Sequence, residues 1–453
     1  MKYIKILLVA LVLAAGSTSM HAQHNRLTNH VVLISIDGFR PEFYKEKQWP
    51  VPNLKSLSEK GISASGVRGV YPSVTYPSHT TLITGALPAR HGIYYNTPFV
   101  YDNPTKKWYW EYELIKTPTI WDAVKEKGLT SASFIWPVSV GAPVDYNIPE
   151  VWTLDDSYGR IEPMRDHETP KGLLLELEKE VLGQLNDKTF SGDYLNREDR
   201  TGEMAAYVLE KYKPNLMTLH LIASDHFQHE QGREGTKVFF ALAAIDRAIG
   251  KIREAAERAG IEENTTYIVT GDHGFVDIHS ALKPNVWLRE LGIVNETNDR
   301  STWKAIFNTS GAAAFLHLKN PKDDKTLQQV KEKLEHLPVS VQKLFRIISR
   351  EELEVIGADP NAAFAIDPVP GIAMSSQVSG DLLEARSGGT HGYFPDFDQI
   401  ETGFIISGAG VNTRNKAIGK ISLEDVAPLI SVLLDLDFLA KDGVYHPGIL
   451  LEN

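Results

Sequence analysis

Short, unbroken apolar runs recur along the chain, each closed by glycine, aspartate or proline, and longer stretches with apolar residues every three or four positions lie between them. The pattern predicts strands from His30 to Ile36, Ser131 to Trp136, Leu216 to Ile222 and Thr266 to Thr270. Helices are predicted from Pro52 to Lys60, Pro118 to Lys127, Gly202 to Tyr212 and about Thr236 to Ala259. These strands read as continuous apolar runs rather than as alternations, so both of their faces should be covered. Strands that alternate with helices imply an α/β fold with a mainly parallel central sheet flanked by helices.

Two stretches break this rhythm. Residues 141–200 are rich in Pro, Asp and Tyr and read as an excursion above the sheet, helical only from Lys171 to Leu185. Residues 276–385 differ in composition and read as an inserted cap, with a strand from Ala312 to Leu318 and a helix from Lys325 to Leu337. A glycine-rich loop at 388–392, a strand from Gly403 to Ile406 and a helix from Leu423 to Leu434 close the chain. We find no internal repeat.

The first 22 residues carry Lys2 and Lys5, an apolar run from Ile6 to Ala15 and a small-residue end at Ala22, the pattern of a secretory signal. Residues 23–453 then form the expected catalytic domain, periplasmic or secreted, with no membrane span. The absence of cysteine excludes disulfides, thiolate metal sites and a cysteine nucleophile. The formal charge is −11, or −13 without residues 1–22, which hold two lysines and no acid. Such a chain is no general binder of duplex nucleic acid.

Three apolar strands end in carboxylates, at Asp37, Asp225 and Asp272, where ligands collect in open α/β sheets. His229 lies one helical turn beyond Asp225, His273 follows Asp272 between two glycines, and His391 sits in Gly-Gly-Thr-His-Gly. Mixed imidazole and carboxylate donors suit zinc better than magnesium or calcium, and two zinc ions is the economical count. Thr75, between Pro72 and Pro77, precedes an apolar-periodic run whose helix is expected to start near Ser78. A hydroxyl there faces the positive end of a helix, where a phosphate is favoured. On this stretch alone, a helix cap and a nucleophile both fit the pattern.

The combination is more specific than its parts. Through SIDGFRPEFY, YPSVTYPSHTTLITG…HGIYYN, FIWP, SDHFQH, TGDHGF and GGTHGYF, the chain resembles the nucleotide pyrophosphatase/phosphodiesterase family of the alkaline phosphatase superfamily, in that family's order. The resemblance implies an alkaline phosphatase-like fold. It places Asp225, His229 and His391 on one zinc, and Asp37, Thr75, Asp272 and His273 on the other. It makes Thr75 the nucleophile of a phospho-threonine mechanism, Asn96 a donor to a non-bridging phosphate oxygen, and Tyr76 the aromatic that stacks a nucleobase. Tyr stands at 76 where Phe is commoner, and Ser78 where Asn is frequent.

The implied function is hydrolysis of phosphodiester or pyrophosphate bonds in nucleotides or similar small molecules. A phosphomonoesterase of the same superfamily would need an added cation, for which Arg40, Arg68 and Arg90 are candidates. Trp152 and Tyr158, with Asp155 and Asp156 between them, suggest a cage for a choline headgroup as a further alternative. His226, His79 and His279 are expected in supporting or exposed roles, and His91 in folding the loop that carries Asn96. A sulfatase is unsupported, since its modified cysteine has no counterpart here.

Overall fold

The computed structural model describes residues 26–102, 105, 107–155, 157–295, 302–414 and 416–452. The expected secretory signal and Asp156 lie outside the described residues. Along the chain run strands β1 (His30–Ile36), β2 (Ile62–Ala64), β3 (Ser131–Phe134), β4 (Tyr146–Ile148), β5 (Leu216–Leu221) and β6 (Thr265–Gly271). An inserted group follows: β7 (Ala305–Ser310), β8 (Ala313–Leu318), β9 (Phe345–Ile348) and β10 (Phe364–Pro368). Two more strands, β11 (Phe404–Gly408) and β12 (Ala417–Ile418), complete the central sheet.

The central sheet has eight strands in the order β12-β2-β11-β6-β1-β5-β3-β4. All neighbours are parallel except β11, which runs antiparallel to β2 and β6. Every side chain of β1 is buried, and its alternation separates two layers. Val32, Ile34 and Ile36 join one core with residues of helices Pro52–Lys60, Tyr194–Tyr212 and Thr236–Arg258. Val31 and Leu33 join the other core, with helices Thr75–Thr84, Ile120–Glu126 and Val426–Leu434. Coverage on both faces is what the unbroken apolar runs require, each such Val or Ile contributing roughly 1.5–3 kcal/mol on burial.

The inserted strands form an antiparallel sheet in the order β7-β8-β10-β9, with an apolar core of their own around Trp287, Phe307 and Phe364. The β7–β8 hairpin reaches back to the main domain, where Ala312 N–H donates to the His391 carbonyl at 2.7 Å. Gly311 turns that hairpin at φ +58°, and a Cβ there would come within 2.2 Å of the His391 carbonyl oxygen. Only glycine permits so close an approach.

The excursion differs from expectation. Residues 141–200 hold several short helices, including Ile161–His167 and Leu173–Leu177, and the helix expected from Gly202 already starts at Tyr194. Asp193 caps it by accepting the N–H groups of Leu195 and Asn196, a signal that its polar surroundings conceal. Among the described residues, no helix is long and apolar enough to cross a membrane.

Candidate active site

Thr75 opens the helix Thr75–Thr84, three residues earlier than expected. Pro77 is tolerated because it falls within the first turn, where its missing N–H has no helical partner in any case. The entire helix is buried, held by its own hydroxyls: Thr80 donates to the Tyr76 carbonyl and Thr84 to that of Thr80.

The carboxylates gather where the strands end. Asp37 follows β1, Asp272 follows β6, and Asp225 lies in helix Ala223–Gln231 just after β5. The His273 Nε2 atom lies 3.3 Å from Asp37 Oδ1 and 3.2 Å from Asp272 Oδ2. Asp225 Oδ1 lies 3.4 Å from His229 Nε2 and 3.6 Å from His391 Nε2. Asp225, His229 and His391 form one group able to hold a metal ion, and Asp37, Asp225 and His273 form a second. The two groups therefore share Asp225, a feature the resemblance did not imply.

Each candidate ligand is oriented through its other atoms. His229, His273 and His391 place Nδ1 against the carbonyls of Gly389, Gly274 and Ser73 at 2.9, 3.0 and 2.8 Å. A ring whose Nδ1–H is donated presents a bare Nε2. Asp272 Oδ1 accepts the N–H groups of Gly38 and His273, both at 3.0 Å, leaving Oδ2 toward the cluster. His220 Nε2 sits 3.1 Å from Asp37 Oδ2. The atoms left over are buried and unpartnered: Asp37 Oδ1, Asp225 Oδ1, Asp272 Oδ2 and His273 Nε2.

Three acidic oxygens and a bare imidazole nitrogen buried together are costly unless a cation joins them. Burial, with the charges of Asp225 and Asp272, drives the Asp37 carboxyl well above its ordinary range. Burial likewise lifts Asp225 to about 6 and pushes His273 down to about 3. A neutral His273 imidazole beside carboxyls held partly protonated by burial is a donor set that could hold a divalent metal.

Asn96 Oδ1 accepts the Tyr76 N–H at 2.9 Å, which leaves its amide nitrogen as a donor. The Tyr76 N–H in the first turn of the helix is thus already paired. Thr75, Asp37, Asp225 and His229 border a cavity of about 960 Å³ that extends to Trp108, Glu150 and Tyr158. Tyr76 lies at its wall with no exposed ring surface, packed edge-on to Trp108 at 5.1 Å. Tyr158, which also borders the cavity, is 52% exposed and offers an open aromatic face.

The arginines proposed from the sequence do not border this cavity. Arg40 packs on Phe43 at 4.4 Å and pairs with Glu234, Arg90 pairs with Asp442 at 2.7 Å, and Arg68 is exposed on a short strand. The described cations at the cavity are Arg160 and Lys188. Arg160 sits 4.7 Å over the Trp152 ring, and Trp152 is buried, so the place a choline cation would take is filled. His220, Glu150 and Arg160 carry no sequence signal, since none stands at a spacing or in a motif that points to a site. His91 bridges Thr81 Oγ1 and the Ile93 N–H, consistent with folding its loop.

The signature of the family described as type I phosphodiesterase / nucleotide pyrophosphatase matches residues 31–394. The chain belongs to that family. It is 25% identical over 430 residues to venom phosphodiesterase 2 of Crotalus adamanteus, covering 92% of this chain and 46% of that one. To ectonucleotide pyrophosphatase/phosphodiesterase family member 3 of Mus musculus it is 27% identical over 251 residues, 54% of this chain and 24% of that one. The chain spans about half the length, or less, of these curated relatives. Its fold matches that of human ectonucleotide pyrophosphatase/phosphodiesterase 5 with TM-score 0.65 at 19% identity, covering 92% of this chain and 97% of that one. The murine counterpart, solved as an inactive threonine-to-alanine variant with AMP, matches with TM-score 0.63 at 20% identity over 92% and 97% of the two chains.

Proposed function

We propose that this chain is an exported, zinc-dependent phosphodiesterase that hydrolyses nucleotide diesters or pyrophosphates through a phospho-Thr75 intermediate. The observation that carries the reading is the set of buried, unpartnered ligand atoms of Asp37, Asp225, Asp272 and His273 beside a cavity that Thr75 borders. The AMP complex of the murine relative and the venom phosphodiesterases lend the substrate class.

Asp225, His229 and His391 would hold one zinc, and Asp37, Asp272, His273 and Thr75 the other, with Asp225 close to both. When bound, such ions would lower the pKa of the Thr75 hydroxyl and neutralise charge on the phosphoryl oxygens. The chain's own part is to aim Thr75 Oγ from the first turn of a rigid, buried helix, so that attack requires little reorganisation. Asn96 Nδ2 donates to a non-bridging oxygen as negative charge develops there. Water then attacks the phospho-threonine, releasing the monoester and restoring the hydroxyl. Residues 1–22 would direct the chain to the periplasm or outside the cell.

Parallel assays with thymidine 5′-(p-nitrophenyl phosphate), bis-p-nitrophenyl phosphate and p-nitrophenyl phosphate test this reading. The nucleotide diester is expected to have the highest kcat/KM, and chelator is expected to abolish turnover. A preference for the monoester would transfer the site to phosphatase chemistry.

A further inference from the structure

The ligand cluster opens on two sides of unlike chemistry. The first opening is the cavity of Thr75, with exposed Tyr158 and the charged side chains of Arg160, Lys188, Glu150 and Asp187. The second is a cleft of about 260 Å³ bordered by Asn96, His229, His391, Asn308 and Thr309. Asn308 and Thr309 also border a groove of about 480 Å³ that reaches Asn285 and Gln377. Among the described residues lining the cleft and groove there is no Lys, Arg, Asp or Glu. Amides and hydroxyls prevail.

We propose that this neutral cleft is the leaving-group subsite, built by the β7–β8 hairpin of the insertion, and that it takes an uncharged, hydroxyl-bearing group such as a nucleoside or sugar. The inference rests on Thr75 being the nucleophile. In an in-line displacement the Thr75 Oγ–P bond forms while the P–O bond on the opposite side breaks, and the leaving oxygen gains from solvent the proton that Thr75 gives up. Thr75 borders the aromatic cavity and not the cleft, whereas His391 borders the cleft and not the cavity. His229 and Thr97 border both, so the two openings meet at the cluster, and the departing group, opposite Thr75, enters the cleft while the group that stays on phosphorus keeps the cavity.

The cleft wall is fixed in place. The hairpin is tied to the metal-ligand loop by the Ala312 N–H bond to the His391 carbonyl at 2.7 Å, and the glycine beside it allows no side chain. Amide and hydroxyl groups match the donors and acceptors of a polyol. A pyrophosphate leaving group would have to shed water there with no cationic side chain among the described lining residues to replace it.

Three substrates deliver the same thymidylyl group to Thr75 with different leaving groups: thymidylyl-(3′→5′)-thymidine, dTTP and thymidine 5′-(p-nitrophenyl phosphate). The wild-type protein should favour the dinucleotide over dTTP by about tenfold or more in kcat/KM. Asn308→Ala and the near-isosteric Thr309→Val should each lower kcat/KM for the dinucleotide about tenfold more than for the p-nitrophenyl ester, the scale of one lost buried hydrogen bond. In a Thr75→Ala background, calorimetry should show Asn308→Ala weakening the dinucleotide about tenfold more than it weakens TMP. Zinc content and thermal midpoint show whether each variant is folded, and the two substitutions serve as independent probes. Equal losses on all three substrates in both folded variants, or preference for dTTP, would overturn the assignment while leaving the phosphodiesterase reading intact. Failure of the wild-type protein to cleave any of the three would overturn that reading and this inference together.

Discussion

The imidazoles of His273 and His391 lie parallel, their centroids 3.5 Å apart at 6°. Two rings so close cannot both carry charge. Burial pushes His273 down to about 3, and burial together with His273 and His229 holds His391 well below its ordinary value. The pair is preset as neutral donors facing the carboxylates.

Removal of metal should therefore destabilise the protein, and by more as pH rises. Asp225 at about 6, and Asp37 higher, are raised above the ordinary value of 3.8. Their contribution to stability in stripped protein is full below 3.8 and is lost as pH climbs through the folded values, when buried carboxylates ionise beside one another. The metal-loaded protein escapes that loss, because the cation takes the place of the protons. The depressed histidines act in the same sense on metal affinity, since protons compete with metal only at low pH. The gap in thermal midpoint between loaded and stripped protein should widen between about pH 5 and pH 7.5. A scanning calorimetry series in which the gap narrows would contradict this.

On the proposed mechanism, Thr75→Ala should keep its fold and most of whatever zinc the wild-type protein binds, because Asp37, Asp272 and His273 remain. Turnover should fall by at least about 10³-fold. Thr75→Ser, which retains the hydroxyl, should recover part of the activity. Elemental analysis alongside steady-state kinetics checks all three statements.

The proposed mechanism gives Asn96 two separable tasks. Its oxygen holds the Tyr76 N–H at 2.9 Å, and its nitrogen is free to donate. Asn96→Asp keeps the first task, loses the second and adds a negative charge beside the phosphate, so kcat should fall about 10²–10³-fold with little change in thermal midpoint. Equal activity of Asn96→Asp and wild type would remove Asn96 from the chemistry.

The exposed ring of Tyr158, rather than the buried Tyr76, should set nucleotide affinity. Tyr158→Ala is expected to raise KM for thymidine 5′-(p-nitrophenyl phosphate) by the equivalent of about 1–3 kcal/mol and to leave bis-p-nitrophenyl phosphate nearly unaffected. Tyr76→Ala, which empties a fully buried site, should lower the thermal midpoint and weaken both substrates alike.

How much of this was legible in the chain depends on the range of the interactions concerned. The strand ending at Asp37, the Asp225-to-His229 turn and the glycines around His273 are local signals, and the structure places those residues at one site. The start of the helix at Thr75 is hidden in the sequence because Pro77 resembles a boundary, whereas it occupies the first turn. Arg40 is a candidate cation by residue type alone, and its partners Phe43 and Glu234 hold it away from the cavity. Arg160 and the β7–β8 hairpin reach the site only through tertiary folding, across long stretches of intervening chain. No local pattern could announce them.

The central claim is a covalent intermediate on Thr75, and stereochemistry at phosphorus tests it most directly. A nucleotide phosphorothioate diester of one configuration, hydrolysed in isotopically labelled water, reports whether displacement occurs twice or once. Two in-line steps, onto Thr75 and then onto water, predict retention of configuration. Inversion would mean that water attacks the substrate directly, and would contradict the account.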